Sequence, residues 1–318
     1  MNNIWTKLNK PILVKAPMEN VTDTVFRQMI TNCGKPDLFF SEFINCDGLA
    51  SIGLPHVIHL LKYTPQEKPI IAQIWGNNPE NYKIAIPIIT KMGFDGIDIN
   101  MGCPERNVVA KGCCSGLINN PILAKKLYSI AKQSAPLLPI SIKTRIGYNR
   151  INTSEWIGFL LELKPAAITI HARTVKEMSK VPAHWDEIGV AVQIRNKMKS
   201  KTLIIGNGDV KSRQEAIQLS KTYGVDGVMI GRGIFQNIWL YDKNKQLDQI
   251  TPKEKISLLI RHILLFDKTW GGKKSYGIMK KFYKVYINGF EQANNIRTRL
   301  MEFKNAQETL DFLNNCIC

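Results

Sequence analysis

The sequence predicts an α/β fold, a (β/α)8 TIM barrel with a C-terminal helical domain, and three observations predict it. Eight short apolar, β-branched runs recur at residues 12–16, 38–41, 70–74, 96–99, 140–144, 167–170, 203–205 and 227–230. Spacers of helical length separate most of them, the pattern of parallel βαβ units, and the span from about residue 11 to 240 suits a closed barrel. From about Thr251 the period becomes helical, with Ile256, Leu259, Ile260, Ile263 and Leu264 on one face. An open doubly wound sheet is the structural alternative. The division expected is a catalytic barrel over residues 1–245 and a helical domain over 246–318.

In such a barrel the working residues follow the strands, at their C-terminal ends. The first run leads to Pro17, Met18 and Glu19, the second to Glu42, and the third contains Gln73. The fourth leads to Asn100 and then Met101-Gly102-Cys103-Pro104. The fifth holds Lys143 and is followed by Arg145; the sixth is followed by His171 and Arg173. The seventh opens into Gly206-Asn207-Gly208-Asp209 and the eighth into Gly231-Arg232-Gly233.

These last two loops have the composition of a phosphate site. Glycines let backbone N–H groups approach an anion, the next helix adds positive potential, and Arg232 can complete the clamp. Two ordinary glycine-rich turns are the plainer reading. A cofactor anchored there would extend towards Lys143 and His171, where a fixed positive charge suits an electron-rich ring such as a reduced flavin.

Cys103 sits between Gly102 and Pro104, which restrain the turn that carries it. It admits three roles: packing, nucleophile or acid. An ordinary thiol, with a pKa near about 8.5, stays mostly protonated at neutral pH and suits proton donation. Cys113 and Cys114 read as packing or loop residues. His171 fits either a structural role or a ring facing the cofactor, whereas His56, His59 and His262 read as structural and His184 is left open.

The net charge of +17, from 43 basic and 26 acidic side chains, points to a polyanionic partner or acidic surface. Nine basic residues stand against two acidic ones between Arg261 and Arg299, and Gly271-Gly272 separates the first tail helix from the stretch 273–284. A last amphipathic helix is expected over 306–313. A solvated helix face is the bland reading of that charge. Seven cysteines form no CxxC pair, so neither a disulfide framework nor a metal site is expected. No stretch reaches the roughly 18 apolar residues of a membrane span. A soluble, unprocessed cytoplasmic protein, monomeric by default, is the expectation.

The ordered set Ala16-Pro17-Met18, Ser41-Glu42, Gln73-Ile74, Asp98 to Pro104, Lys143-Thr144-Arg145, His171 to Thr174, Gly206 to Asp209 and Met229 to Gly233 resembles the dihydrouridine synthases. The resemblance covers residues 11 to about 235. It implies that Pro17, Met18, Glu19, Gln73, Lys143, His171, Asn207, Gly208, Asp209, Gly231 and Arg232 surround FMN. It further implies that NADPH reduces the flavin, that hydride goes to C6 of a uracil in RNA, and that Cys103 protonates C5. Asn100 and Arg173 match positions near the substrate nucleotide, and Lys273, Lys274, Lys280, Lys281 and Lys284 are expected to bind tRNA, or rRNA instead. The stretch 112–116 departs from the family's glycine-rich loop by carrying Cys113 and Cys114. Rival readings are a dehydrogenase of free pyrimidines, of dihydroorotate or dihydropyrimidine type, and a barrel that binds RNA without catalysis.

Overall fold

The computed structural model describes residues 3–245 and 247–317. Gln246, the first residue of the expected second domain, lies outside them, as do Met1, Asn2 and Cys318. The strands are β1 (Ile12–Lys15), β2 (Leu38–Phe40), β3 (Ile44–Asn45), β4 (Ile70–Trp75), β5 (Gly96–Met101), β6 (Ile140–Arg145), β7 (Ala167–His171), β8 (Leu203–Asn207) and β9 (Gly227–Ile230). All pair in parallel, in the order β2-β1-β9-β8-β7-β6-β5-β4, and β2 closes the ring on β4 with Phe39 opposite Ile70. The eight anticipated runs are therefore the eight barrel strands. The two-residue β3 is an addition, paired only with the end of β4.

Strand alternation divides the apolar residues into two sets. Ile12, Val14, Leu38, Phe40, Ile71, Ala167, Leu203, Ile205 and Met229 form an inner cluster that Trp5 joins, edge-on to Phe40 at 6.3 Å. Residues of the other parity, such as Leu13, Phe39, Ile70, Ile99 and Ile142, pack outward in the larger cluster with the surrounding helices. Towards the C-terminal strand ends the inward positions turn polar, with Gln73, Asp98, Asn100, Lys143, Thr169, His171 and Asn207. A polar floor thus lies above an apolar plug.

After β9 come helices alone among the described residues. The Pro252–Trp270 helix is N-capped by Thr251, whose hydroxyl accepts from Glu254 N at 3.1 Å, and stops at Gly271, where the sequence places its break. The last helix runs Ala306–Ile317, one turn beyond expectation. The Pro252–Trp270 helix packs on both the barrel's Thr24–Cys33 helix and that last helix. Phe26 meets Phe282 with ring centroids 4.7 Å apart, so the apolar core is continuous from barrel to tail. Among the described residues no helix is long and apolar enough to cross a membrane.

One tail lysine departs from expectation. Lys274, assigned to RNA, is turned inward with its side chain 9% exposed, and pairs with Asp23 at 3.2 Å and Glu42 at 3.7 Å. It also lies 4.1 Å from the centre of the Trp270 ring, whose indole N–H donates to Asp23 at 2.7 Å. Two buried barrel carboxylates attract the cation more strongly than solvent does, so Lys274 fastens the tail to the barrel.

Candidate active site

A cavity of about 530 Å³ opens at the C-terminal mouth of the barrel. Pro17, Met18, Gln73, Asn100, Cys103, Lys143, His171, Asn207, Gly208, Asp209, Gly231 and Arg232 line it together. Glu19 is exposed and stands outside this lining. Phe43, Arg145, Lys211 and Gln236 also line it, and sequence reasoning gave them no role there. Arg145 stood at a strand end and could have been found; Phe43 and Gln236 belong to no pattern.

The thiol turn is held from both sides. The Asn100 carboxamide oxygen accepts from the Gly102 and Cys103 amides, each at 3.0 Å, and Arg145 Nε donates to the Gly102 carbonyl at 2.8 Å. Asn100 Nδ2 donates to Gln73 Oε1 at 3.1 Å, Gln73 Nε2 to Asp98 at 2.8 Å, and Ser141 Oγ to Asp98 at 2.6 Å. Asn100 is therefore a brace of the turn as well as a cavity wall. Burial pushes the Asp98 carboxyl up to about 6 against those donors. Gly102 is required for a reason other than the conformational freedom expected of it. Its φ is not positive, but a Cβ there would stand 3.2 Å from Thr144 Cα.

Charge in the cavity is mainly positive. Burial brings Lys143 down to about 8, which leaves it mostly cationic at neutral pH. Burial, and then the cations Arg145, Lys143, Arg173 and Arg232, hold His171 well below its ordinary value, so its imidazole is neutral. Cys103 is drawn down to about 7, first by a hydrogen bond from Cys114, against its own burial, with the Glu105 backbone and Lys143 assisting. Near pH 7 the thiol is thus divided between its two forms, lower than an ordinary cysteine. Cys114, read from sequence as a packing or loop residue, is buried and does not line the cavity.

The two glycine-bearing loops meet on the opposite side. Asn207 Nδ2 donates to Met229 O at 2.7 Å and Trp185 Nε1 to Gly208 O at 3.0 Å. Gly206 is needed because a Cβ would fall 2.4 Å from the Trp185 ring. Asp209 accepts from Ala183 N at 3.0 Å and is paired with Arg173. Arg173 is 2% exposed, donates to Val181 O at 2.6 Å and is absent from the cavity wall. Arg173, expected near the substrate nucleotide, is turned to Asp209, and the exposed Arg232 stands 4.0 Å from the other oxygen of the same carboxylate. In the tail, Lys273, Lys281 and Lys284 are exposed, while Lys280 is half-buried and donates to Met301 O at 2.5 Å.

A closed parallel barrel whose strand ends hold a braced thiol, a buried lysine and a neutral imidazole around one cavity defines a (β/α)8-barrel enzyme. The chain belongs to the dihydrouridine synthase family of oxidoreductases: the model described as dihydrouridine synthase (Dus) matches residues 14–318. It is 40% identical over 316 residues to a probable tRNA-dihydrouridine synthase 2 of Bacillus subtilis (strain 168), covering 98% of this chain and 96% of that one. A probable tRNA-dihydrouridine synthase of Staphylococcus aureus (strain COL) is 39% identical over 309 residues, covering 96% and 93%. Among solved structures, a morphinone reductase mutant matches with TM-score 0.51 at 11% identity, covering 72% of this chain and 85% of that one. A 2-naphthoyl-CoA reductase matches with TM-score 0.55 at 10% identity, over 75% and 52%. These two likenesses concern the fold.

Proposed function

We propose that the protein reduces uridine in RNA, tRNA before rRNA, to 5,6-dihydrouridine, with FMN as its flavin and NADPH as reductant. The braced Cys103 thiol on the cavity wall, in a chain of this family, is the observation that carries the reading. The residues present fit a flavin mononucleotide. A cavity of about 530 Å³ is of the size that holds small cofactors. A Cβ built on Gly231 would find nothing nearer than Ala16 at 3.8 Å, so the backbone there is open to close approach. Pro17, Met18, Gln73, Lys143, His171, Asn207, Gly208, Asp209, Gly231 and Arg232 would hold it, with Glu19 outside the wall.

Bound there, the flavin supplies the hydride that adds to C6 of uracil. Charge then develops through C5 and O4, and Cys103 removes it by delivering its Sγ proton to C5. Asn100 and Arg145 keep that sulfur in place. Lys143 maintains a positive wall, and the neutral His171 contributes hydrogen bonding without further charge. A stacked uracil is out of reach of such a cavity, so the base is turned out of the RNA, and binding elsewhere offsets the lost stacking. Residues 246–318 serve as the RNA-binding domain, with the exposed Lys273, Lys281 and Lys284 as phosphate contacts. The protein works as a monomer in the cytoplasm.

The test is incubation with FMN and NADPH and with transcribed tRNA, rRNA or free uridine, followed by mass-spectrometric quantification of dihydrouridine. Product from tRNA is expected. Product from free uridine alone would instead identify a pyrimidine dehydrogenase.

A further inference from the structure

Lys15 is a buried cation with no carboxylate paired to it. It closes the apolar run of β1, where its partner in the sheet is Ile230, the last residue of β9. Its side chain is fully buried, at 0% exposure. Nζ donates to the carbonyl of Ala16 at 3.2 Å and to those of Ile230 and Gly231 at 3.4 Å each. An ammonium has three N–H donors, so every one of them has a carbonyl to meet. The charge itself has no counterpart. The buried cations Arg27 and Lys274 face Glu67 at 2.6 Å and Asp23 at 3.2 Å, whereas among the described residues Lys15 enters no ion pair. Burying a cation is costly unless an anion compensates it.

The three carbonyls place this charge against the wall of the cavity. Ala16 and Gly231 line the cavity and Lys15 does not, so the ammonium sits directly behind them. Gly231 leads into Arg232, whose side chain is 66% exposed and is therefore open to screening by water and salt. Lys15 has no such screen. A charge in those surroundings acts across several ångströms far more strongly than one at the surface. The acidic side chain of the same wall, Asp209, already has Arg173 as its partner. What would balance Lys15 is an anion on the cavity side of Gly231.

We propose that Lys15 is the buried counter-charge of the cofactor's phosphate. The three carbonyls fix it behind the turn at Gly231 and Arg232, and it acts on the anion across that turn without touching it. No bond is made or broken. This role rests on the reading of the site as one for a flavin mononucleotide, and it adds to that site a residue outside the cavity wall.

The experiment titrates the full-length protein, freed of flavin, with FMN and with riboflavin, which lacks only the phosphate, and reads binding by quenching of flavin fluorescence. The wild type should prefer FMN. Lys15→Met, close in shape but neutral, should lose about tenfold or more in affinity for FMN, the effect of removing one poorly screened unit charge, with riboflavin binding little changed. Lys15→Gln, neutral but still able to donate to a carbonyl, should behave like the Met variant. Unchanged FMN affinity in Lys15→Met overturns the proposal, as do equal losses for both flavins, which would reveal a fault of packing. Wild-type affinity in Lys15→Gln also overturns it, because the hydrogen bonds and not the charge would then be the cause. Thermal melting without flavin should show both variants folded; unfolding of both would make Lys15 a structural residue and overturn the proposal. A wild type that binds riboflavin as tightly as FMN would instead overturn the flavin mononucleotide reading, and the role of Lys15 with it.

Discussion

Cys103 titrates close to physiological pH, and a proton donor that does so has a rate profile of defined sign. With the thiol drawn down to about 7, the protonated, competent form predominates below that pH and is lost above it. Dihydrouridine formation at saturating cofactor should therefore decline as pH rises from 7 to 9, measured by mass spectrometry. Cys103→Ala should bind flavin like the wild type while losing roughly 10²- to 10⁴-fold in turnover, the usual value of general acid catalysis. Activity within a few fold of wild type would exclude it as the acid. At this scale the sequence placed the thiol on the correct turn but assigned it an ordinary titration. What the sequence could not carry was the surroundings that shift the thiol, among them its burial and the nearby Lys143 and Glu19, which the fold assembles from other strand ends.

Among the elements, the barrel strands were the most legible part of the chain. Parallel strands buried on both faces leave short, nearly continuous apolar runs, and all of β1, β2 and β4–β9 fall on such runs. The two-residue β3 was too brief to leave one. Less legible was the direction of a charged side chain, as Lys274 and Arg173 show: each lies in a basic or strand-end stretch, and each is itself turned inward onto a barrel carboxylate, buried Asp23 in one case and the more exposed Asp209 in the other. Lys274→Met should cost about 3 kcal/mol or more of unfolding free energy, because it strands Asp23 and Glu42 without their cation. The loss has a pH sign. Burial raises the Glu42 carboxyl from 4.5 to about 7, so its contribution to stability is present below its unfolded value and fades as pH rises through 7. Urea unfolding should show a larger penalty for the Met variant at pH 8 than at pH 5.5; equal penalties would show that Glu42 does not depend on Lys274.

For the whole molecule, a net charge of +17 predicts affinity for a polyanion without saying which cations contribute. The structure separates them. Lys273, Lys281 and Lys284 are exposed, so replacing all three by Gln should weaken tRNA binding and reduce the slope of log affinity against log salt by about 2 to 3. Fluorescence anisotropy across a salt series measures both. Thermal stability should be little changed. An unaltered slope would place the RNA on another face. Lys274→Met should do the reverse, altering stability with little effect on the slope.

The inward turn of Lys274 has a consequence for how a target nucleotide is chosen. The ion pairs to Asp23 and Glu42, the Trp270 bond to Asp23 and the shared aromatic core fix the span between tail and cavity mouth. On the proposed reading the protein then behaves as a calliper. An RNA seated on the tail presents to Cys103 whichever base lies one set separation away, and its identity as a uracil is checked only on arrival. A substitution that tilts the tail, with every residue of the cavity unchanged, should alter the position modified before it alters the chemistry performed.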